Sequence, residues 1–114
     1  MDPIAIEDFR KLDIRVGKVV EATDHANADR LLVLKVDIGG AEIRQVVSGI
    51  KPAYQAADMM GKSVIILCNL NPAVLRGVES QGMILAATAV EADGAKKICV
   101  LAPTSDLPAG SKVS

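Results

Sequence analysis

Few side chains in this 114-residue chain could do covalent chemistry. It holds one histidine, His25, and two cysteines, Cys68 and Cys99, which lie 31 positions apart. Two thiols and one imidazole at that spacing do not make the four-ligand set that zinc takes. Each cysteine sits inside an apolar, strand-like run, where a free thiol serves as a small hydrophobe. Both are therefore expected to be buried and unpaired, with no disulfide framework. His25 lies in the polar stretch Asp24-His25-Ala26-Asn27-Ala28-Asp29, which reads as a surface loop carrying an ordinary solvated imidazole rather than a catalytic base. There is no GxSxG, no P-loop and no GxGxxG after a strand, and the carboxylates are scattered singly. No catalytic group, metal or cofactor is implied, and the chain reads as a binding module rather than an enzyme.

The charges carry more information than their sum. The net charge is −1, so this is not a polycation of the kind that coats duplex nucleic acid. Between Glu42 and Glu79, however, lie four bases (Arg44, Lys51, Lys62 and Arg76) and one acid (Asp58), a local balance of +3. The remainder has nine bases and thirteen acids, a balance of −4. A locally positive face on an acidic body suits a polyanion held at one place by a few phosphates. Four bases that merely solvate a surface would give the same count.

The elements that must position these groups are strands. Half the residues are hydrophobic and nearly all of those are aliphatic, Phe9 and Tyr54 being the only aromatics, while Val and Ile together number 23. A chain of this length can bury one core and make one domain, residues 1–114. No apolar run reaches membrane-spanning length, and Met1-Asp2-Pro3-Ile4 lacks the form of a signal peptide, so a soluble cytoplasmic domain is expected. A short helical turn is expected over residues 6–12. Strands are expected over residues 13–23, with an irregularity near Gly17, and over 31–38, with Leu32, Leu34, Val36 and Ile38 on one face. Gly39-Gly40 offers a hairpin turn into a third strand over residues 41–47. A short helix over 53–60 precedes a central apolar strand over 63–68. Residues 69–81 read as loop, 82–89 as a fifth strand and 96–101 as a sixth. Five strands with a short helix between the third and fourth is the layout of an OB-fold barrel, here all-β with a C-terminal extension. In OB-folds the loops joining strands 1–2 and 4–5 border the nucleic-acid face; here these are residues 24–30 and 69–81.

Five strings in order carry a family resemblance. Phe9-Arg10-Lys11-Leu12-Asp13-Ile14-Arg15-Val16-Gly17, Ala28-Asp29-Arg30-Leu31-Leu32, Arg44-Gln45-Val46-Val47-Ser48-Gly49-Ile50, Asn69-Leu70 and Arg76-Gly77-Val78-Glu79-Ser80-Gln81-Gly82-Met83 resemble the tRNA-binding domain family. That family includes the C-terminal domain of methionyl-tRNA synthetases, free-standing structure-specific tRNA-binding proteins and CsaA-type proteins.

The resemblance implies an OB-fold that binds the outside corner of tRNA by shape and backbone, commonly as a homodimer, as a domain or partner of a synthetase. The alternative it implies is a CsaA-like protein-interaction or export module. RNA-binding residues implied are Arg30, Arg44, Ser48, Gly49, Lys51, Asn69, Arg76, Ser80 and Met83. Arg30 and Arg76 would hold phosphates. Ser48, Ser80 and Asn69 would donate to phosphate, ribose or a base edge, with a turn cap as the other reading of Asn69. Met83 would lie under a nucleotide or pack in the core. Gly49, Gly77 and Gly82 would permit tight turns or close approach. The chain departs from the family at Ala73, Val74 and Leu75, where relatives often carry Lys, and at Ala26, where a Pro is common. Few phosphate contacts and no stacking aromatics imply binding of about micromolar strength at physiological salt. The segment from Lys96 to Leu101, beyond a five-stranded barrel, is expected to cover or extend an edge against a second subunit.

Overall fold

β-branched and leucine side chains at every second position build the barrel from its second strand outward. The computed structural model describes residues 1–114. In β2 (Leu32–Asp37) the side chains of Leu32, Leu34 and Val36 are fully buried, as is Ile38 just beyond it, while the alternate positions are half-buried. This is the period-two pattern of a strand with one face on a core. β3 (Ile43–Ser48) runs back along β2, from Asp37 opposite Ile43 to Leu32 opposite Ser48.

β1 (Ile14–Asp24) is long enough to serve two neighbours. Its C-terminal half pairs with β2, and its N-terminal half pairs with β4 (Ser63–Leu67), Ile14 opposite Leu67. Within the pairing to β2 the register shifts: Val19 faces Val36 but Glu21 faces Lys35, leaving Val20 as the extra residue. Such a bulge bends a strand and increases its twist, which lets one strand belong to both sides of a barrel. The irregularity was expected near Gly17 and lies three residues later. Gly17 pairs regularly with Val64, and its missing side chain is a packing requirement, because a Cβ there would stand 2.6 Å from Val36 Cγ1.

The sheet order is β3-β2-β1-β4-β7, where β7 is Met83–Ile84. With α2 (Ala56–Met59) between β3 and β4, this is a nearly closed five-stranded antiparallel barrel of OB type. Twelve buried residues fill it, among them Val19, Val46, Ile66 and Ile84; Met59 is the one residue α2 buries. A short α1 (Ile6–Arg10) precedes β1. No helix is long and apolar enough to cross a membrane.

Three segments differ from the sequence expectations. Residues 69–81 contain a hairpin, β5 (Ala73–Leu75) paired with β6 (Val78–Ser80). The expected fifth strand is broken at Leu85, whose amide donates to Ile65 O while its carbonyl accepts from the Leu101 amide. The part after the break, β8 (Ala86–Val90), leaves the barrel to pair with β9 (Lys96–Val100) as a separate two-stranded sheet. The stretch after the barrel therefore joins a strand of its own hairpin instead of extending a barrel edge. The Tyr54 hydroxyl accepts from the Val100 amide at 3.0 Å and ties this hairpin down. The chain end returns as β10 (Lys112–Val113) beside Ile14 and Arg15. Cys99 is exposed on β9, where burial was expected.

Candidate functional site

Closure of the barrel also fixes the surface around it. β3 meets residues 79–82 through side chains instead of a regular ladder. The buried Ser80 Oγ accepts from the Val47 amide and donates to Gly82 O, each at 3.0 Å. Gln45 and Gln81 exchange bonds, the Gln45 amide donating to Gln81 Oε1 at 3.1 Å and the Gln81 amide to Gln45 O at 2.7 Å. Gln45 Nε2 adds a bond to Glu79 O at 2.8 Å. Arg44 reaches over this seam: Nη1 donates to Cys68 O at 2.8 Å and Nε to Glu42 at 2.7 Å. Gly82 then brings the chain against β4, with φ at 152° and no room for a side chain, since a Cβ would lie 2.9 Å from Leu67 O.

From that seam the β5–β6 hairpin projects, and its tip is Arg76-Gly77. Both residues have positive φ, 52° and 87°, the mark of a type I′ turn. Asn-Gly is the usual choice there; an arginine in the left-handed region is strained. Arg76 is exposed and has no carboxylate within ion-pair distance. On its other side the hairpin is pinned by His25, which is buried at 5% exposure instead of solvated as its polar neighbours implied. Nδ1 accepts from the Asn27 amide at 3.0 Å and Nε2 lies 3.0 Å from Leu75 O. Since Nδ1 accepts, Nε2 carries the proton and donates, which sets the neutral tautomer. One imidazole thereby joins the loop after β1 to the hairpin between β4 and β7.

The nine sequence-identified residues fall into four places, Gly49 lining two of them. Arg30, Gly49 and Lys51 line one open cleft of about 460 Å³, together with Lys96 of β9. Ser48, Gly49 and Met83 line a mostly apolar groove of about 600 Å³ between the barrel and the β8–β9 hairpin. Arg44, Asn69 and Ser80 sit in the frame with their polar atoms engaged inside the chain. Asn69 accepts from the Asp13 amide at 2.8 Å and donates to Lys11 O at 2.6 Å, so its side chain ties the end of β4 to the segment before β1 instead of capping its own turn. Arg76 stands alone at the hairpin tip. Gly77 has the positive φ its turn needs, whereas a Cβ on Gly49 would meet only Leu31 Cδ2 at 3.8 Å.

Electrostatics separate frame from surface. Arg15 makes two bonds to the Asp13 carboxylate and a third to Ile38 O; its hydrogen bond holds the Asp13 carboxyl below the usual range. Cys68 packs in the core as a small hydrophobe, and this burial pushes its thiol up, away from the reactive thiolate. The sequence did not signal that Lys96 lines this cleft or that His25 braces the hairpin: a lysine at one position of a short strand, and an imidazole among polar residues, carry no pattern of their own.

Residues 14–112 match the model of a family described as a putative tRNA binding domain. The chain is 47% identical over 113 residues to methionine–tRNA ligase of Pyrococcus furiosus, covering 99% of the chain and 15% of that ligase. It is 50% identical over 113 residues to the corresponding ligase of Methanocaldococcus jannaschii, covering 99% of the chain and 17% of the ligase. The chain thus spans about a sixth of the length of these curated relatives. Among solved structures it superimposes on a MetRS-related protein from Pyrococcus horikoshii with a TM-score of 0.88, at 32% identity and full coverage of both chains. It superimposes on the chaperone CsaA of Bacillus anthracis with a TM-score of 0.85, at 27% identity, covering 99% of this chain and 100% of the other.

The strained turn generates a stability prediction. Asn tolerates the left-handed region that Arg76 occupies, so Arg76→Asn is expected to stabilise the fold by about 0.5–1 kcal/mol. Thermal melting of the two proteins checks this; a lower melting temperature in the variant would contradict the turn assignment.

Proposed function

Because this chain belongs to the putative tRNA-binding domain family, we propose that it recognises folded tRNA by shape and backbone charge, with little reading of sequence, and acts as a domain or trans-acting partner of a methionyl-tRNA synthetase. The observation that carries this reading is the family match over residues 14–112, which includes both loops that border an OB-fold's nucleic-acid face. In this reading the work is binding rather than catalysis, and it takes place in the cytoplasm.

Arg76 and Arg30 are the phosphate donors in this account. Both are exposed, neither has a carboxylate within ion-pair distance, and guanidinium keeps its proton at any physiological pH. Arg76 is held out by a hairpin that is braced on two sides, so little side-chain-bearing backbone must be ordered on binding. A residue kept in a strained conformation where Asn would be easier fits a binding role at that tip. The absence of loop aromatics argues against splaying out single-stranded bases. The CsaA-like alternative, a protein-interaction module, has a close fold match behind it, but at 27% identity against 47 to 50% for the synthetases.

With about three phosphates neutralised, the log–log salt dependence of tRNA binding is expected to have a slope of about −2 to −3. Raising salt from 50 to 200 mM then weakens binding about 20- to 60-fold. Affinity is expected to be similar for several elongator tRNAs and much weaker for linear RNA of the same length; Arg76→Asn lowers the magnitude of the slope by about one unit. Electrophoretic shifts at several salt concentrations check this. Preference for one single-stranded sequence would overturn shape reading, and no binding at all would favour the protein-interaction alternative.

We also propose a homodimer. The apolar groove beside the β8–β9 hairpin is lined by Ile50, Met83, Leu85 and Leu101, and Met83 and Leu101 are 44% and 40% exposed. A second subunit covering it would remove that apolar surface from water. Sedimentation equilibrium is expected to give a dimer at tens of micromolar; a monomer there would overturn it.

A further inference from the structure

β9 presents two neighbouring lysines to opposite sides. Ile98 and Val100 pack toward the barrel core, so Lys96, which shares their face by strand alternation, points toward the barrel as well, and Lys97 faces away with Cys99. Lys96 reaches the cleft of about 460 Å³ that Arg30, Gly49 and Lys51 also line. Three separate parts of the fold meet there: the end of the loop after β1, the turn after β3, and the added hairpin.

The lining is one-sided in charge. Its seven residues include Arg30, Lys51 and Lys96 and no carboxylate, in a chain whose net charge is −1. Lys51 is braced at 3.0 Å by Asp24, and its amide donates to Arg30 O at 3.3 Å, which fixes the wall of the cleft. Arg30 and Lys96 have no carboxylate within ion-pair distance. Two uncompensated cations and one braced one around a solvent-filled cleft repel each other at a cost that a bound anion removes. Gly49 contributes no side chain to obstruct it.

We propose that this cleft is an anion subsite, that its ligand is a backbone phosphate of the bound tRNA, and that Lys96 of the β8–β9 hairpin is one of its donors. The subsite rests on the tRNA-binding reading and extends it, because it gives the RNA a contact apart from the Arg76 tip, supplied by a hairpin that lies outside the five-stranded barrel.

Lys97 provides the internal control, as the same charge one residue away on the opposite face. The experiment measures binding of a purified elongator tRNA to the wild-type chain, Lys96→Ala and Lys97→Ala over 50 to 200 mM salt, with thermal melts of each. Both lysines are exposed, so both variants are expected to melt like the wild type. Lys96→Ala is expected to weaken binding about five- to tenfold near 100 mM salt and to lower the slope's magnitude by about one unit, with Lys97→Ala within about twofold and its slope unchanged. Equal losses in the two variants would overturn the subsite, leaving only diffuse attraction. So would a Lys96→Ala variant that binds like the wild type while the wild type binds tRNA. A wild-type chain that binds no tRNA would overturn the functional reading itself and the subsite with it.

Discussion

The proposed RNA face depends on how β3 is joined to residues 79–82. A five-stranded barrel needs a last seam, and here the strand that should supply it is only two residues long, Met83–Ile84, and pairs with β4. The seam is made instead by side chains: Ser80 and Gln81 accept from β3 amides, Gln45 donates to the Glu79 carbonyl of β6, and Arg44 donates to the Cys68 carbonyl just after β4. Buried backbone donors left open would cost about 1–3 kcal/mol each. Side chains closing a seam let the two edges diverge more than a ladder would, and the β5–β6 hairpin emerges from that divergence.

This seam explains why polar residues of the family-like strings divide into two groups. Ser80, Asn69 and Arg44 have their polar atoms committed to other parts of the chain, so they hold the shape. Arg30 and Arg76 have none of those commitments through a carboxylate and stand at the surface. Shape recognition needs both groups, because widely separated charges can match phosphates only if the protein between them is rigid. His25 belongs with the first group. By joining Asn27 to Leu75 it sets the distance between the two loops that carry the charges.

The barrel was legible in the chain because its strands repeat with period two around aliphatic residues; the Leu32-to-Ile38 alternation alone gives a buried face without error. The short elements were not. Ala73–Leu75 and Val78–Ser80 are three residues each, below the length at which alternation can be distinguished, and their turn uses Arg-Gly where Asn-Gly would have announced it. The strand after Gly82 reads as continuous because nothing in Leu85 signals that its amide and carbonyl serve different partners. His25 looked solvated because its neighbours are polar, yet burial followed from a partner 50 residues away. Lys96 acquires its place only once β9 packs on the barrel through Ile98 and Val100. Local pattern reaches the strands; the site comes from contacts between residues far apart in sequence.

If the seam residues build the platform and the surface cations bind the RNA, Ser80→Ala separates the two roles most directly. Its hydroxyl accepts from the Val47 amide and donates to Gly82 O, so removing it is expected to destabilise the fold by about 1–3 kcal/mol. The measurement is thermal melting together with tRNA affinity at a temperature where the variant remains folded. A lowered melting temperature with tRNA affinity within about twofold of wild type is the predicted result. A variant that melts like the wild type and loses tRNA binding would contradict the account, since Ser80 would then be touching the RNA.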